Sequence, residues 1–247
     1  MQRMNSLCSG NLDINKEINI LLVHPVEPQG NNTGLFEYPT NYLLPTTKVD
    51  QTFCLGGPIK VCGIREIRKA SLHVVTKTKW AESQGYHAVI IDCSIEPGIA
   101  KARKQVKIPV IGTMESSRAI ASLLGKRVSS IYPKRVPVLE LEDDLEFTYN
   151  ELLKQGRVEV SKGANMLLLD CNILDQFAQR LQKDLDVPVL LNRDAAIKIA
   201  ELLAVFGIRH FQQQPWTFRS KNRWYVHLLS KKISLLVFHI KSYLNIV

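Results

Sequence analysis

An apolar run that ends in Asp-Cys and a small polar residue occurs twice in this chain, at residues 88–94 (AVIIDCS) and 166–172 (MLLLDCN). Each copy is followed by a helix-like segment and then by an apolar run that contains proline, at 108–110 and 187–189. A buried strand, a polar break, a helix of about three turns and another buried strand form the building block of a parallel sheet. The repeat therefore predicts an α/β protein with two similar parallel-sheet halves.

The two cysteines of this repeat, Cys93 and Cys171, lie where the chain leaves a strand and approaches a helix. Ligand crevices of open α/β sheets lie beyond the carboxyl ends of the strands. Unpaired backbone N–H groups and the helix dipole lower the pKa of a thiol there. Two such thiols flanking one cleft can remove a proton from one face of a carbon and return one to the other. A single cysteine is more often a buried structural residue, but the repeated context favours reactive thiols.

Composition and charge indicate an ordinary globular protein of 247 residues, with 45% hydrophobic and 22% charged residues. Five cysteines without a Cys-x-x-Cys motif predict free thiols in a reducing compartment, and neither a disulfide framework nor a zinc knuckle. The N-terminus lacks the apolar core of a secretory signal, and no apolar run reaches the roughly 18 residues of a membrane span. We therefore expect a soluble, cytoplasmic protein. Of the formal charge of +9, +6 lies in residues 211–247, which leaves a mildly basic body.

The apolar pattern also predicts how the chain is divided. Residues 1–17 are expected to form a flexible arm, residues 18–112 a first α/β domain and residues 113–204 a second α/β domain. Residues 205–247 are expected to return to the first domain. The segment 211–247 forms a tail that is first basic and aromatic and then apolar.

The periodicity of apolar residues predicts where the longer helices begin and end. A helix is expected over 64–84, with an interruption near 73–77 where β-branched residues cluster. A further helix is expected over 146–156, ended by Gly156, with another short helix over 157–163.

Several polar segments at predicted strand ends have a structural or a binding interpretation. Ser94 or Glu96 is expected to cap a helix over 98–107. The Gly-Thr pair at 112–113 ends a strand before a helix, which makes it a natural cradle for an anion. The acidic run 140–146 is interpreted as a solvated loop or helix start, because it lacks the spacing and the glycine of a calcium loop.

A series of short motifs resembles a known family. Residues 93–98 (CSIEPG) resemble Cys-x-x-Asp-Pro-Gly, and residues 108–115 (IPVIGTME) resemble Val-Pro-Val-x-Gly-x-x-Glu. Cys171 and the Val-Pro-Val of 187–189 follow in the same order. Over residues 18–210 the chain resembles the aspartate/glutamate/hydantoin racemase superfamily, and in particular its hydantoin racemase branch.

The resemblance implies two α/β domains related by pseudo-twofold symmetry, with the active site in the cleft between them. It also implies racemisation without a cofactor or a metal ion. One cysteine thiolate removes the proton from the stereogenic carbon, and the opposite thiol delivers a proton to the other face. Cys93 and Cys171 take these two roles. Family members commonly assemble into homo-oligomers.

The resemblance further implies which residues bind a small-molecule substrate, a hydantoin or an amino-acid-like carboxylate. Backbone N–H groups of Ser94, Thr113, Asn172 and Ile173 are candidates to stabilise the developing enolate oxygen. His24 stands where the family has an Asn-Pro-Asn type motif, and it is a further candidate substrate-binding residue. No nucleic-acid partner is expected, since no recognisable module is present.

Departures from the family pattern leave other functions open. Asp92 and Asp170 precede the cysteines where small residues are common, and each carboxylate either raises the thiol pKa or points toward the helix side. Asn172 adds bulk beside the pocket, so one alternative is an inactive protein that binds small acids. Residues 24–42 predict a long irregular loop. The tail 211–247 either closes the first domain or associates with a membrane surface.

Overall fold

Two parallel β-sheets and their helices make up the described part of the protein in the computed structural model. The structure describes residues 17–28, 43–124, 127–137, 140–141 and 143–209. The predicted tail 211–247 lies outside the described residues, as do nearly all of the predicted arm 1–17 and most of the predicted loop 24–42.

All strands of the two sheets run parallel to their neighbours. The first sheet has the order β2-β1-β3-β4 and the second has the order β5-β6-β7. The strands are β1 (Ile18–His24), β2 (Thr47–Phe53), β3 (Ala88–Ile91), β4 (Val110–Gly112), β5 (Val128–Ile131), β6 (Met166–Leu169) and β7 (Val189–Leu190). The repeated apolar runs are therefore β3 and β6, one inner strand of each sheet.

From β2 onward, a helix lies between each strand and the next, as expected for parallel pairing. They are α1 (Ile64–Ser83), α2 (Ile99–Arg103), α3 (Thr113–Leu123), α4 (Leu145–Ser161), α5 (Ala178–Leu185) and α6 (Asn192–Val205). A 3-10 helix, Asn172–Phe177, precedes α5. None of the helices in the described ranges is long and apolar enough to cross a membrane.

The inner strands β1 and β3 of the first sheet are largely apolar because both of their faces are covered. Leu21 and Val23 pack toward Val74 of α1 on one face. Ile20 and Leu22 pack toward residues of α6 on the other face, such as Ala196. The last described helix thus returns to the first sheet, although its residues fall within the predicted second domain. The division into two domains stays a prediction.

Helix α1 runs without a break, so the predicted interruption near 73–77 is wrong. Val74 is fully buried against the sheet, and the Thr78 hydroxyl donates a hydrogen bond of 2.8 Å to the Val74 carbonyl inside the same helix. The weak helix propensity of β-branched residues is a small effect, and burial of an apolar face outweighs it.

Helix α4 also continues through Gly156, where the sequence predicted an end. A Cβ atom at this position would lie 2.5 Å from Cδ1 of Leu185 in α5. The glycine therefore gives room for close packing between helices, and it does not end the helix.

Gly98 gives a direct test of how tightly the first sheet and its helices pack. Its φ is +78°, and an added Cβ would lie 2.8 Å from the Ser71 carbonyl oxygen and 2.9 Å from the Ser71 Cα. We expect Gly98→Ala to lower the free energy of unfolding by about 2–4 kcal/mol, from left-handed strain plus overpacking. Urea denaturation measures this difference.

Gly85→Ala is the matched control, because Gly85 has φ +84° and an added Cβ would meet no atom of the described residues within 4 Å. It should cost only the conformational part, about 1–2 kcal/mol. Equal losses in the two variants would show that the Ser71 backbone does not constrain this position.

Candidate active site

Cys93 and Cys171 lie just beyond the carboxyl ends of strands in different sheets, the first after β3 and the second after β6. Both residues are partly buried, and neither forms a disulfide. A charge on Cys171 raises the pKa of Cys93, so the two thiols lie within electrostatic reach of each other. The structure thus brings the two predicted catalytic residues to one site.

Residues beside the two cysteines form reciprocal bonds between the two sheets. The Ser94 hydroxyl donates a short hydrogen bond to the carbonyl of Asp170. In the opposite direction, the Asn172 side-chain amide donates to the Asp92 carboxylate at 2.5 Å. The two copies of the repeated motif therefore bind each other directly.

The pKa of each thiol is set by two opposing effects. Burial raises the pKa of Cys93 to about 12 and that of Cys171 to about 11. Backbone N–H groups act in the opposite direction, those of Ile95 and Glu96 on the Cys93 sulfur and that of Ile173 on the Cys171 sulfur. The predicted lowering of the thiol pKa is wrong, because burial outweighs the N–H groups at these strand ends.

The Asp92 carboxylate is the centre of a buried polar cluster, and its side chain is 1% exposed. The Arg193 Nε lies 2.9 and 3.0 Å from its two oxygens, and the His24 Nδ1 lies 2.9 Å from one of them. Burial alone would raise the pKa of Asp92, but Arg193, His24 and Asn172 together hold it at about 2. The ionised carboxylate in turn raises the pKa of both cysteines.

Asp175 is a second carboxylate at this site, and it lies on the 3-10 helix after Cys171. One of its oxygens is 3.5 Å from the Arg193 Nη1, and the other is buried without a hydrogen-bond partner among the described residues. Burial raises the pKa of Asp175 to about 7, with Asp92 and Asp194 adding to the rise and Arg193 opposing it. Its charge raises the pKa of Cys171.

The predicted substrate-binding residues near the cysteines differ in exposure. Thr113 is fully buried, and its hydroxyl oxygen lies 3.2 Å from the Asn172 side-chain nitrogen. Ser94 and Ile173 are partly exposed. The Ser94 side chain bonds across to the second sheet, so it does not cap α2 as one prediction had it. The substrate-binding role of these four residues stays a prediction.

His24 is buried, although a histidine at a strand end is more often a surface residue. Its ring stacks on Phe53 with 4.5 Å between centroids, and Nε2 lies 3.2 Å from the Gln51 side-chain oxygen. Since Nδ1 faces Asp92, the imidazole is held by protein partners on both sides. Its predicted contact with substrate stays a prediction.

The anion cradle predicted at residues 112–113 is occupied by a side chain of the protein. The Glu96 carboxylate accepts hydrogen bonds from the backbone N–H groups of Met114 and Glu115, the latter at 2.7 Å, at the beginning of α3. The prediction that Glu96 caps its own helix is therefore wrong. Helix α2 begins after Gly98 without a side-chain cap.

Sequence reasoning missed two residues at the beginning of α6, just beyond the end of β7. The Asn192 side chain donates to the Leu169 carbonyl at 2.6 Å and accepts from the Ser117 hydroxyl at 2.7 Å. Arg193 pairs with the Asp92 carboxylate. The sequence did contain a signal for them, an Asn-Arg-Asp triplet after an apolar strand. Ligand crevices lie beyond the carboxyl ends of strands, and this rule, which pointed to the cysteines, applies equally here.

The structure supports the interpretation of the acidic run 140–146 as a helix start. The Asp144 side chain accepts a hydrogen bond of 2.9 Å from the Phe147 N–H and so caps α4. Glu146 pairs with Arg180 at 2.7 Å. Within the described ranges, no group of three or more histidine, cysteine, aspartate or glutamate side chains is arranged to hold a metal ion.

Part of this chain is similar in sequence to known proteins. A family model described as Asp/Glu/Hydantoin racemase matches residues 54–134. The hydantoin racemase of Rhizobium meliloti is 30% identical over 163 residues, which cover 54% of this chain and 67% of that protein. The hydantoin racemase of Pseudomonas sp. (strain NS671) is 28% identical over 178 residues, which cover 61% of this chain and 72% of that protein.

Solved structures share the fold. An allantoin racemase from Klebsiella pneumoniae has a TM-score of 0.68 at 21% identity, covering 80% of this chain and 92% of its own. An allantoin racemase from Pseudomonas fluorescens has a TM-score of 0.72 at 21% identity, covering 80% of this chain and 95% of its own. These similarities, together with the sheets described above, confirm the predicted parallel-sheet α/β fold class.

The raised pKa of Asp175 predicts how stability changes with pH. Its pKa is about 7 in the folded protein against 3.8 ordinarily, so folding retains a proton that the unfolded chain has released between these values. Ionisation of Asp175 therefore lowers stability as pH rises through this window. Asp175→Asn should be more stable than wild type at pH 8, on the order of 1–4 kcal/mol, and the gain should shrink toward pH 4.

Urea unfolding of both proteins between pH 4 and pH 8 measures this gain. Asp143→Asn, at an exposed position, reports the effect of removing one surface charge. A gain in Asp175→Asn that does not vary with pH would contradict the assignment of a proton to Asp175.

Proposed function

Because the chain belongs to the Asp/Glu/hydantoin racemase family and is an isomerase of the racemase class, we propose that it inverts the stereogenic carbon of hydantoins. Cys93 and Cys171 carry the proton transfers, and no cofactor takes part. The observation that carries this proposal is the meeting of two thiols at one site, each beyond the carboxyl end of a strand in a different sheet.

The reaction is a transfer of one proton off the ring carbon and one proton onto it. The thiolate of one cysteine takes the proton from the carbon next to the ring carbonyl, which leaves a planar enolate. The thiol of the other cysteine then gives its proton to the opposite face of the same carbon. The first cysteine ends as a thiol and the second as a thiolate, so the next turnover starts from the other enantiomer.

The enolate needs hydrogen-bond donors for the charge that develops on its oxygen. The Ile173 N–H bonds the Cys171 sulfur, so it stabilises a thiolate. The backbone N–H groups of Ser94 and Asn172, each the residue directly after a catalytic cysteine, serve as donors to the enolate oxygen. The side chains of both residues are fixed by bonds to the opposite sheet, and their backbones are thereby held in place.

The charges at the site favour a neutral ring over an amino acid as substrate. Arg193 is the only buried lysine or arginine in the described part of the chain, and its guanidinium is already paired with Asp92 and lies near Asp175. Aspartate or glutamate carries two carboxylates and one ammonium group, so it would bring a net negative charge toward these two acidic side chains. Burying an uncompensated charge is costly, whereas a hydantoin ring carries none.

The surroundings of Asp175 also favour a substrate ring that bears N–H groups. Its buried Oδ1 has no hydrogen-bond partner among the described residues, and its charge acts on Cys171, so it lies near the reacting thiol. A buried carboxylate oxygen without a donor is unfavourable. The N–H of a hydantoin supplies such a donor.

Removing either thiol should abolish racemisation and leave proton exchange of at most one enantiomer. We expect Cys93→Ala and Cys171→Ala each to racemise 5-substituted hydantoins at least about a thousandfold more slowly than wild type. Each variant should exchange the ring proton of one enantiomer at most, and the two variants should differ in which one. NMR in D2O measures exchange, and chiral chromatography measures racemisation.

Cys62→Ala is the control, because Cys62 is an exposed free cysteine, whereas Cys93 and Cys171 are partly buried. Full racemisation by either single active-site variant would contradict the two-thiol reaction. Turnover of aspartate or glutamate in place of hydantoins would contradict the proposed substrate class. Binding of a hydantoin without any exchange by wild type would favour a non-catalytic binding protein.

The raised thiol pKa values predict an alkaline pH dependence. The free enzyme must ionise one thiol, and burial raises the pKa of both above the ordinary value of 9.0. The value of kcat/KM should therefore rise about tenfold per pH unit below the first pKa of the coupled pair. Initial rates from pH 7 to pH 10 measure this slope, and a profile that is flat above pH 7 would contradict it.

A further inference from the structure

We propose that Glu96 is a positioning residue for Cys93, because its carboxylate fixes the loop whose backbone N–H groups bond the Cys93 sulfur. The proposal rests on the proposed role of Cys93 in racemisation. It concerns a residue that does not itself touch the reacting carbon.

The backbone of the loop holds the Cys93 sulfur in a hydrogen-bonded turn. The N–H groups of Ile95 and Glu96 both bond the sulfur, and the Glu96 N–H also lies 2.9 Å from the Cys93 carbonyl. Glu96 has a φ of +52° and precedes Pro97. A left-handed backbone is unfavourable for a residue with a side chain, so this turn needs an external anchor.

The Glu96 side chain provides that anchor at the beginning of α3. Its carboxylate accepts from the N–H groups of Met114 and Glu115, where the positive end of the helix favours a negative charge. Gly112 is required beneath it, since a Cβ on that residue would overlap the Glu96 carboxylate. The loop after β3 is thus attached to the loop after β4, its neighbour in the sheet.

A second carboxylate completes the anchor. Glu115 accepts from the Gly112 N–H at 3.1 Å and pairs with Arg103, so the beginning of α3 holds two acidic side chains and one guanidinium. The like charge of Glu115 raises the pKa of Glu96 beyond the effect of burial, while the two N–H groups and Arg103 oppose the rise. The Glu96 carboxylate is therefore held by fixed partners.

The anchor acts on one thiol only. Loss of the Glu96 carboxylate would let the loop relax from its left-handed turn, and the two N–H groups would then leave the Cys93 sulfur. Because these bonds favour the thiolate, Cys93 would become harder to ionise. Cys171 has its own N–H donor from Ile173, and Glu96 is not among the groups that shift its pKa.

The test compares Cys93 with Cys171 inside the same full-length protein. Chloroacetamide alkylation at pH 8 is followed for each cysteine by mass spectrometry, in wild type and in Glu96→Ala. We expect the ratio of the Cys93 rate to the Cys171 rate to fall about tenfold, which corresponds to about one pKa unit. An unchanged or increased ratio would overturn the proposal.

Two further variants distinguish loss of the Glu96 interaction from a general loosening of the fold. Glu96→Gln keeps an acceptor oxygen and should retain most of the wild-type ratio. Glu82→Ala removes another glutamate that accepts two backbone N–H bonds, from Lys107 at 2.6 Å and Ile108 at 3.2 Å, and should leave the ratio unchanged. An equal fall in Glu82→Ala would overturn the proposal, because the effect would then follow from loosening the fold.

Proton exchange on hydantoin enantiomers provides an independent measurement. In Glu96→Ala, exchange of the enantiomer that uses Cys93 as base should fall about tenfold in kcat, and exchange of the other should keep its kcat within twofold. Equal losses of kcat for the two enantiomers would overturn the proposal. If wild type exchanges no hydantoin, the proposed function fails, while the alkylation ratio still decides the role of Glu96.

Discussion

The buried ion pair between Asp92 and Arg193 determines how the site is assembled. A carboxylate with a side chain that is 1% exposed needs a partner, and breaking such a pair costs about 3–5 kcal/mol. The pair joins the loop after β3 to α6, and the same carboxylate also binds His24 from β1 and Asn172 from the 3-10 helix. One charge therefore fixes segments from both sheets, and the two cysteines beside it are placed by that arrangement.

The same burial that holds this cluster together governs the chemistry of the thiols. A carbon next to a ring carbonyl is a weak acid, so its proton is removed faster by a stronger base. Burial raises the pKa of Cys93 and Cys171 to about 12 and 11, which makes each thiolate a stronger base than an ordinary cysteine. The raised pKa also makes each thiolate rarer at neutral pH. The backbone N–H groups that bond both sulfurs lower the thiol pKa and so increase the fraction of thiolate, while the sulfurs remain buried.

Local sequence patterns predicted many features of this structure, whereas the others depend on tertiary contacts. The repeated apolar runs predicted parallel strands and placed Cys93 and Cys171 at their carboxyl ends. The increase in the thiol pKa could not be predicted from the sequence, because burial of the two cysteines depends on segments that are distant in sequence. Gly156 was expected to end a helix, and its role became visible only with α5 packed against it. Arg193 stood at a strand end that the same rule covers, whereas Asp175 had no signal, since only folding makes it a buried acid.

The two halves of the site are alike in sequence but differ in electrostatics. Cys93 has two N–H donors on its sulfur, and Cys171 has one donor and lies near Asp175. In a two-thiol reaction, these unequal surroundings give the two sulfurs different affinities for the proton that they share. Two enantiomers have equal free energies, so kcat/KM must be equal in the two directions. The asymmetry of the site must therefore appear as matched differences in kcat and KM, with the proton distribution of the thiol pair as its cause.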